Sequence, residues 1–301
     1  MTKAEPKWET YRSFLAVMTE GSLSAAARKL GLTQPTLGRH IDELEAALGQ
    51  PLFSRSQAGL IATQAARELL PHAQAMASAA GALIRAASGA RGEERGTVRL
   101  TASVFVGGEV LPEILTRFRE AHPSIAIELI LSDVTQDLLR RDADIAVRMV
   151  QPKQDALVAK KIGTTALGLF AHRDYLERHG TPHTLDDVAH HAIIGYDKEG
   201  AFERGLKAMG LPLARDLFAL RVDSDWARVN ALRAGFGIGV CQVGVARRNP
   251  HLVHLLPKAF HFELGLWLAM HKDLRSVRRM RLLFDHLSEH LAVYAATSRV
   301  A

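Results

Sequence analysis

The segment from Trp8 to Leu48 constrains this chain more than any other. It holds three stretches of helical periodicity, each bounded by residues suited to starting or ending a helix. In residues 8–20, Trp8, Tyr11, Leu15 and Met18 recur at helical steps with Phe14 beside them, which predicts an amphipathic helix closed by Gly21. Ser22 is a good N-cap for a second helix, Ser24-Ala-Ala-Ala-Arg-Lys-Leu30. Its small alanines let a neighbouring helix approach closely, and Gly31 can close it in a left-handed conformation. Thr33 can cap a third helix with Gln34 and Pro35 in the first turn, where proline's missing N–H would have had no partner. Leu37, Ile41, Leu44 and Leu48 form its apolar stripe. Pro35, Arg39, Asp42 and Ala46 lie opposite, with Thr36 and His40 on the flanks. The front half of the outer face is polar without acid and the acids come later, so an anionic groove tolerates this helix only if its N-terminus leads.

Residues 51–62 read as two short strands around a turn near Gln57–Gly59. From Gln64 to about Ser88 the chain is alanine-rich helix. Leu69, Ala73, Met76, Ala80, Leu83 and Ala87 repeat in a 4-3-4-3-4 rhythm, a heptad seam suited to pairing with another helix, and Pro71 is expected to bend it slightly. Residues 88–96 look like a hinge rich in glycine and charge. Beyond Gly96, strand and helix patterns alternate. Candidate strands are 97–103, 125–131, 143–149, 166–171, 192–195, 217–222, 237–242 and 262–270, with helical patterns such as Leu111, Ile114, Leu115 and Phe118 between. Alternation of this kind predicts parallel sheets with right-handed crossovers.

Composition excludes more than it selects. With 301 residues, two or three domains are expected. No apolar run approaches the roughly 20 residues that span a bilayer, and the start of the chain has no signal-peptide core, so the expectation is a cytoplasmic protein with no membrane partner. The single cysteine, Cys241, cannot form a disulfide within the chain and is expected to pack as a small apolar residue. The net charge of +6 permits nucleic-acid binding. However, residues 1–65 carry seven Lys or Arg against six Asp or Glu, so the basicity is not concentrated there.

Residues 14–65 resemble the LysR-type transcriptional regulators. The resemblance is carried by Phe14-Leu-Ala-Val-Met-Thr-Glu-Gly-Ser22, Ala25-Ala26-Ala27-Arg-Lys-Leu30, Thr33-Gln34-Pro35, Ile41-Asp-Glu-Leu-Glu45 and Leu48-Gly49-Gln-Pro-Leu-Phe53-Ser-Arg55. It implies an α plus α/β architecture: a winged helix-turn-helix over residues 1–65, a linker and dimerisation helix with hinge over 66–95, and an effector-binding domain over 96–301. That last domain would comprise two α/β subdomains like those of periplasmic binding proteins, about 96–163 with 268–301, and about 164–267. The implied partners are double-stranded promoter DNA, a small-molecule effector, RNA polymerase and further copies of the chain in a homodimer or homotetramer. Two departures stand out. Gly38 occupies a position where the family commonly has Ser, at a helix cost of about 1 kcal/mol against alanine. The wing ends Thr63-Gln64-Ala65-Ala66 where relatives usually read Thr-x-Ala-Gly, and its tip lacks a basic residue.

On this reading Gln34, Thr36, Arg39 and His40 are the candidates to read DNA bases, with Pro35 also on the DNA-binding side, since Arg can bond guanine twice and Gln can do the same with adenine. Ser24, Arg28 and Arg55 fit phosphate, which positions without reading sequence. Effectors of doubly wound sheets sit beyond the carboxyl ends of strands. That points to Thr101, Ser103 and Val104 after the first strand, with Ser132, Arg148, Tyr196, Asp223, Ser224 and Cys241 as further candidates and an anionic metabolite as the expected ligand. Arg148 could equally sit in a structural ion pair with a nearby aspartate. His286-Leu-Ser-Glu-His290 satisfies an inverted zinc-peptidase pattern, but a match this short is easily met by chance among 14 histidines. The segment reads as a final surface helix with Leu283, Phe284, Leu287 and Leu291 as its stripe, preceded by a basic run (Lys272, Arg275, Arg278, Arg279, Arg281) expected to be a solvated face. No metal, cofactor or nucleophile-and-base site is expected, so an enzyme is the weaker alternative. A purely architectural DNA binder is the other.

Overall fold

The computed structural model describes residues 5–56, 59–87, 94–133, 143–152, 157–197, 215–260 and 262–299. The expected wing tip at Gln57 and Ala58 and most of the expected hinge, 88–93, lie outside them. The chain divides into two compact units near residue 84.

The first unit opens with α1 (Trp8–Glu20), α2 (Leu23–Leu30) and α3 (Gln34–Leu48). Each end is fixed locally. Gly21, Gly31 and Gly49 stop the helices at φ of 71°, 66° and 74°, a region open to glycine at no steric cost. The Ser22 hydroxyl accepts from Ala25 N at 3.2 Å, and Thr33 accepts from Thr36 N at 3.3 Å. Around Phe14, Val17, Ala26, Ala27, Leu37, Ile41, Leu44 and Leu52 the three helices close one core. The stripe of α1 is rotated from expectation. Thr10, Ser13, Phe14, Ala16 and Val17 are buried, while Trp8, Tyr11, Leu15 and Met18 are only half-buried. The small polar residues sit inside because their hydroxyls find partners, Thr10 on Lys7 O and Ser13 on His40. Leu48 also departs from its stripe and is 37% exposed, because α3 has by then run past the core.

β1 (Phe53–Ser56) and β2 (Gly59–Ala62) pair antiparallel, Phe53 opposite Ala62 and Ser56 opposite Gly59. The hairpin is tied back to α3, since one Glu45 oxygen accepts from the backbone N–H groups of Leu52 at 2.6 Å and Phe53 at 3.0 Å. The long helix α4 (Gln64–Ala87) runs continuously through Pro71. Its seam divides in two. Leu69 and Ala73 pack on the first unit's own core, whereas Met76 and Leu83 are 40% and 69% exposed, with Ile84 beside them at 65%.

The second unit is built on one sheet, in the order β4-β3-β5-β11-β6-β9-β7-β8, with β10 also paired to β6. The strands are β3 (Gly96–Ala102), β4 (Ile125–Leu131), β5 (Ile145–Arg148), β6 (Leu157–His172), β7 (Ile193–Tyr196), β8 (Phe218–Val222), β9 (Ile238–Gln242), β10 (Leu252–Leu255) and β11 (Phe262–His271). Three features differ from the sequence expectation. The sheet is mixed, because β6 and β11 run antiparallel to their neighbours, while β3 with β4 and β5, and β7 with β8 and β9, are parallel. β6 is longer than expected, and β10 is not among the expected strands. Both carry exposed or half-buried residues that break the apolar signal, such as Lys160 and Lys161 in β6 and His254 in β10. β6 and β11 slip register between Leu266 and Trp267, where Ile162 has no opposite residue. The 20-residue helix Arg278–Thr297 buries Met280, Leu283, Leu287 and Leu291 in the larger core.

Candidate nucleic-acid interface and effector cleft

On α3 the apolar residues Leu37, Ile41 and Leu44 are buried, while Gln34, Pro35 and Arg39 are exposed and Thr36 and His40 half-exposed. The outer face expected to read DNA is thus turned to solvent. Its members are already positioned. Ser24 Oγ donates to Gln34 Oε1 at 2.9 Å, so the pair assigned to phosphate and base form one bonded unit joining α2 to α3. Thr36 Oγ1 lies 2.8 Å from Thr33 Oγ1. His40 Nδ1 lies 2.8 Å from the fully buried Ser13 Oγ, which holds the imidazole from behind. Arg39 is 3.6 Å from Glu43 one helical turn on; its side chain is 70% exposed, so this ion pair is weak and can be exchanged for a stronger partner. A Cβ at Gly38 would meet nothing within 4 Å. Glycine there answers no steric demand of the fold. Arg28 is exposed at the end of α2, and Arg55 lies in β1.

In the second unit a cleft of about 360 Å³ opens among β5, the β9 end and the starts of two helices. Its polar wall is Ser103, Asp133, Arg148, Tyr196, Asp225, Arg228 and Gln242, and its apolar wall includes Phe105, Met149, Leu167, Phe262 and Leu264. Arg148 is 3% exposed and donates to Thr101 Oγ1 at 2.9 Å and to Val147 O at 3.0 Å, so Thr101 supports it from behind. Ser103 precedes the short helix Val104–Glu109. Its hydroxyl oxygen is buried and has no hydrogen-bond partner among the described residues. The Val104 N–H donates to the Asp133 carboxylate at 3.1 Å. On the far wall, Tyr196 donates to Asp225 Oδ1 at 2.7 Å. Arg228 lies 2.7 Å from the same oxygen, 4.8 Å from the Tyr196 ring centre, and donates to Val240 O.

The structure therefore brings Thr101, Ser103, Val104, Arg148 and Tyr196 to one cleft or its immediate support. It does not bring the remaining candidates there. Ser132 lies beside the lining residue Asp133, and its N–H donates to Ala102 O. Ser224 caps the helix Asp225–Arg233, accepting from Ala227 N at 3.4 Å, and Asp223 is exposed beside it. Cys241 is fully buried in the core. Its neighbours Val240 and Gln242 line the cleft, and alternation along β9 turns the thiol to the other face. Burial pushes its pKa up to about 12. Sequence reasoning does not reach Asp133, Asp225, Arg228 or Gln242. Asp225 and Arg228 at i and i+3 carry a signal, because such a pair shares one helix face.

In the zinc pattern of the last helix, one of the two histidines is already engaged. His286 Nε2 is 2.9 Å from Ile114 O, so that nitrogen is occupied as a donor. Among the described residues no group of three or more His, Cys, Asp or Glu could hold a metal. Nor is any described helix long and apolar enough to cross a membrane.

A helix-turn-helix with a hairpin wing, followed by an α/β domain with a cleft, defines a ligand-responsive DNA-binding protein. Comparison with known proteins specifies it. Residues 8–67 match the bacterial regulatory helix-turn-helix of the lysR family, and residues 91–292 match the LysR substrate binding domain. The chain belongs to the LysR-type transcriptional regulators: it is a DNA-binding regulator with an effector-binding domain, and its relatives are regulators and not enzymes. It is 27% identical over 293 residues to a probable HTH-type transcriptional regulator LtrA of Klebsiella pneumoniae, covering 95% of each chain. It is 34% identical over 168 residues to a probable hydrogen peroxide-inducible genes activator of Mycobacterium avium, covering 55% of this chain and 52% of that one. Its fold matches full-length CbnR complexed with target DNA at a TM-score of 0.65, with 21% identity, covering 96% of this chain and all of the other (100%).

Proposed function

We propose that this regulator is a cytoplasmic homodimer or homotetramer that switches promoter binding when a small anionic metabolite enters the Ser103–Arg228 cleft. The observation that carries the ligand class is the buried Ser103 hydroxyl, without a hydrogen-bond partner among the described residues, on the same wall as the buried Arg148 guanidinium. A carboxylate entering there accepts from both, and the apolar wall suits an aliphatic or aromatic body. Asp133 holds the Val104 N–H, so an anion must displace that carboxylate, which favours a ligand that pairs with Arg148 at the same time. In this reading the cleft lies between subdomains I (96–163, 268–301) and II (164–267), and closure changes their angle. The exposed half of the α4 seam pairs two copies, with Ala80 and Ala87 continuing it, and the regulated promoter is read out through RNA polymerase. In the DNA-binding unit, Gln34, Pro35, Thr36, Arg39 and His40 meet bases, and Ser24, Arg28 and Arg55 meet phosphate. A ligand shifts the switch only through its different affinity for the two arrangements.

The test is a thermal-shift screen of small carboxylates and aromatic acids on the full chain, repeated on Ser103→Ala. A carboxylate that stabilises the parent, binds the variant at least tenfold more weakly and shifts the DNA footprint supports the reading. If only neutral or cationic compounds stabilise the protein, or Ser103→Ala binds as well as the parent, the anionic assignment fails.

A further inference from the structure

We propose a second small-molecule site in the effector domain, separate from the Ser103–Arg228 cleft, for a ligand that joins an anionic head to an apolar body. A hollow of about 360 Å³ has Val158, Met270 and Phe284 as its floor and Lys160, Arg275, Arg281 and Asp285 at its rim. Its residues come from β6, from β11 with the turn that follows it, and from the first turns of the helix Arg278–Thr297.

The basic run before the last helix supplies the argument, because the structure does not leave it as one solvated face. Arg279 is 1% exposed and donates to Thr97 O at 3.3 Å. Arg278 is committed to Glu94 at 2.8 Å. Arg275 and Arg281 have no ion pair among the described residues, and both turn to the hollow. Lys160 joins them from β6; its Nζ donates to Ser288 Oγ at 2.6 Å, which uses one of its protons. Three cations therefore share a rim with a single carboxylate, Asp285. Two guanidiniums beside an apolar floor suit a carboxylate, sulfonate or phosphate head with a hydrophobic remainder, since the planar fork of arginine bonds such heads in pairs.

The probe is 8-anilinonaphthalene-1-sulfonate, which has both parts, followed by its fluorescence on the full chain. Arg275→Ala/Arg281→Ala is expected to weaken one saturable component at least tenfold, Arg281→Glu to weaken it too, and Ser103→Ala to leave that component unchanged. Circular dichroism of the variants should match the parent, because both side chains are exposed. An identical titration in parent and double variant overturns the proposal. So does loss of duplex-DNA affinity in the double variant with dye affinity unaltered, since that would assign the pair to phosphate backbone instead.

Discussion

The DNA-binding unit and the effector domain solve the same problem, presenting polar groups to a ligand, in opposite ways. In the first, every candidate contact lies between Ser24 and Arg55, on short helices and a hairpin whose ends are set by neighbouring residues. The groups stand outward and are held by single bonds such as Ser24 to Gln34 and Ser13 to His40. In the second, the wall of one cleft collects residues from Ser103 to Leu264, and its arginines are buried and held by several partners. A surface reader can change its side chains with little cost to the fold, whereas removing a paired cleft member such as Asp225 leaves Tyr196 and Arg228 short of a partner.

The largest test of this contrast is Leu37→Ala. It removes a fully buried side chain from the helix that also carries the outer face, and should cost about 2–5 kcal/mol, read by chemical denaturation. DNA affinity should fall with stability while carboxylate stabilisation of the effector domain persists; loss of both would show that the two solutions are not independent. Arg39→Ala should leave stability within about 0.5 kcal/mol, as an exposed substitution does. It should relax base preference by about 1–3 kcal/mol, measured across a library of duplexes, if Arg39 pairs bidentately with guanine. An unchanged binding-site profile removes Arg39 from base readout. Ser22→Ala deletes the cap of α2 and should cost about 1 kcal/mol in denaturation, with DNA preference retained.

Smallest is the behaviour of Cys241. Its buried thiol should resist a disulfide-exchange reagent at pH 8 in the folded protein and react fully in denaturant. Rapid reaction of the native protein would move it to an accessible wall. Because folding raises this pKa from 9.0 to about 12, the thiol's contribution to stability is fully present below pH 9 and is lost as pH climbs toward 12. The same burial, with one cysteine in the chain, separates this protein from any regulator that closes an internal disulfide.

The contrast also explains which features are legible in the sequence. The caps at Ser22 and Thr33, the stops at Gly21 and Gly31 and the outward set on α3 are local, so periodicity and turn chemistry suffice to find them. Ser103, Arg148 and Tyr196 are reachable because strand ends are where clefts form. Arg228 and Asp225 are not, because helical spacing reveals a shared face but not what that face meets. Asp133 stands one residue beyond Ser132, the position that a strand-end rule selects. On β9 the sequence points to Cys241, whereas alternation puts Val240 and Gln242 on the cleft wall. Likewise the basic run looks uniform in sequence, and only packing around Thr97 and Glu94 divides it.

β6 and β11 are paired to each other along ten positions of register and each also pairs to strands on its other side. The two halves of the effector domain therefore share a paired ribbon in place of a loose linker. Relative movement of those halves would have to twist that double strand, whose ladder is interrupted at the slip beside Ile162. A strand bonded on both sides resists bending more than a loose linker does, because bending it strains two ladders at once.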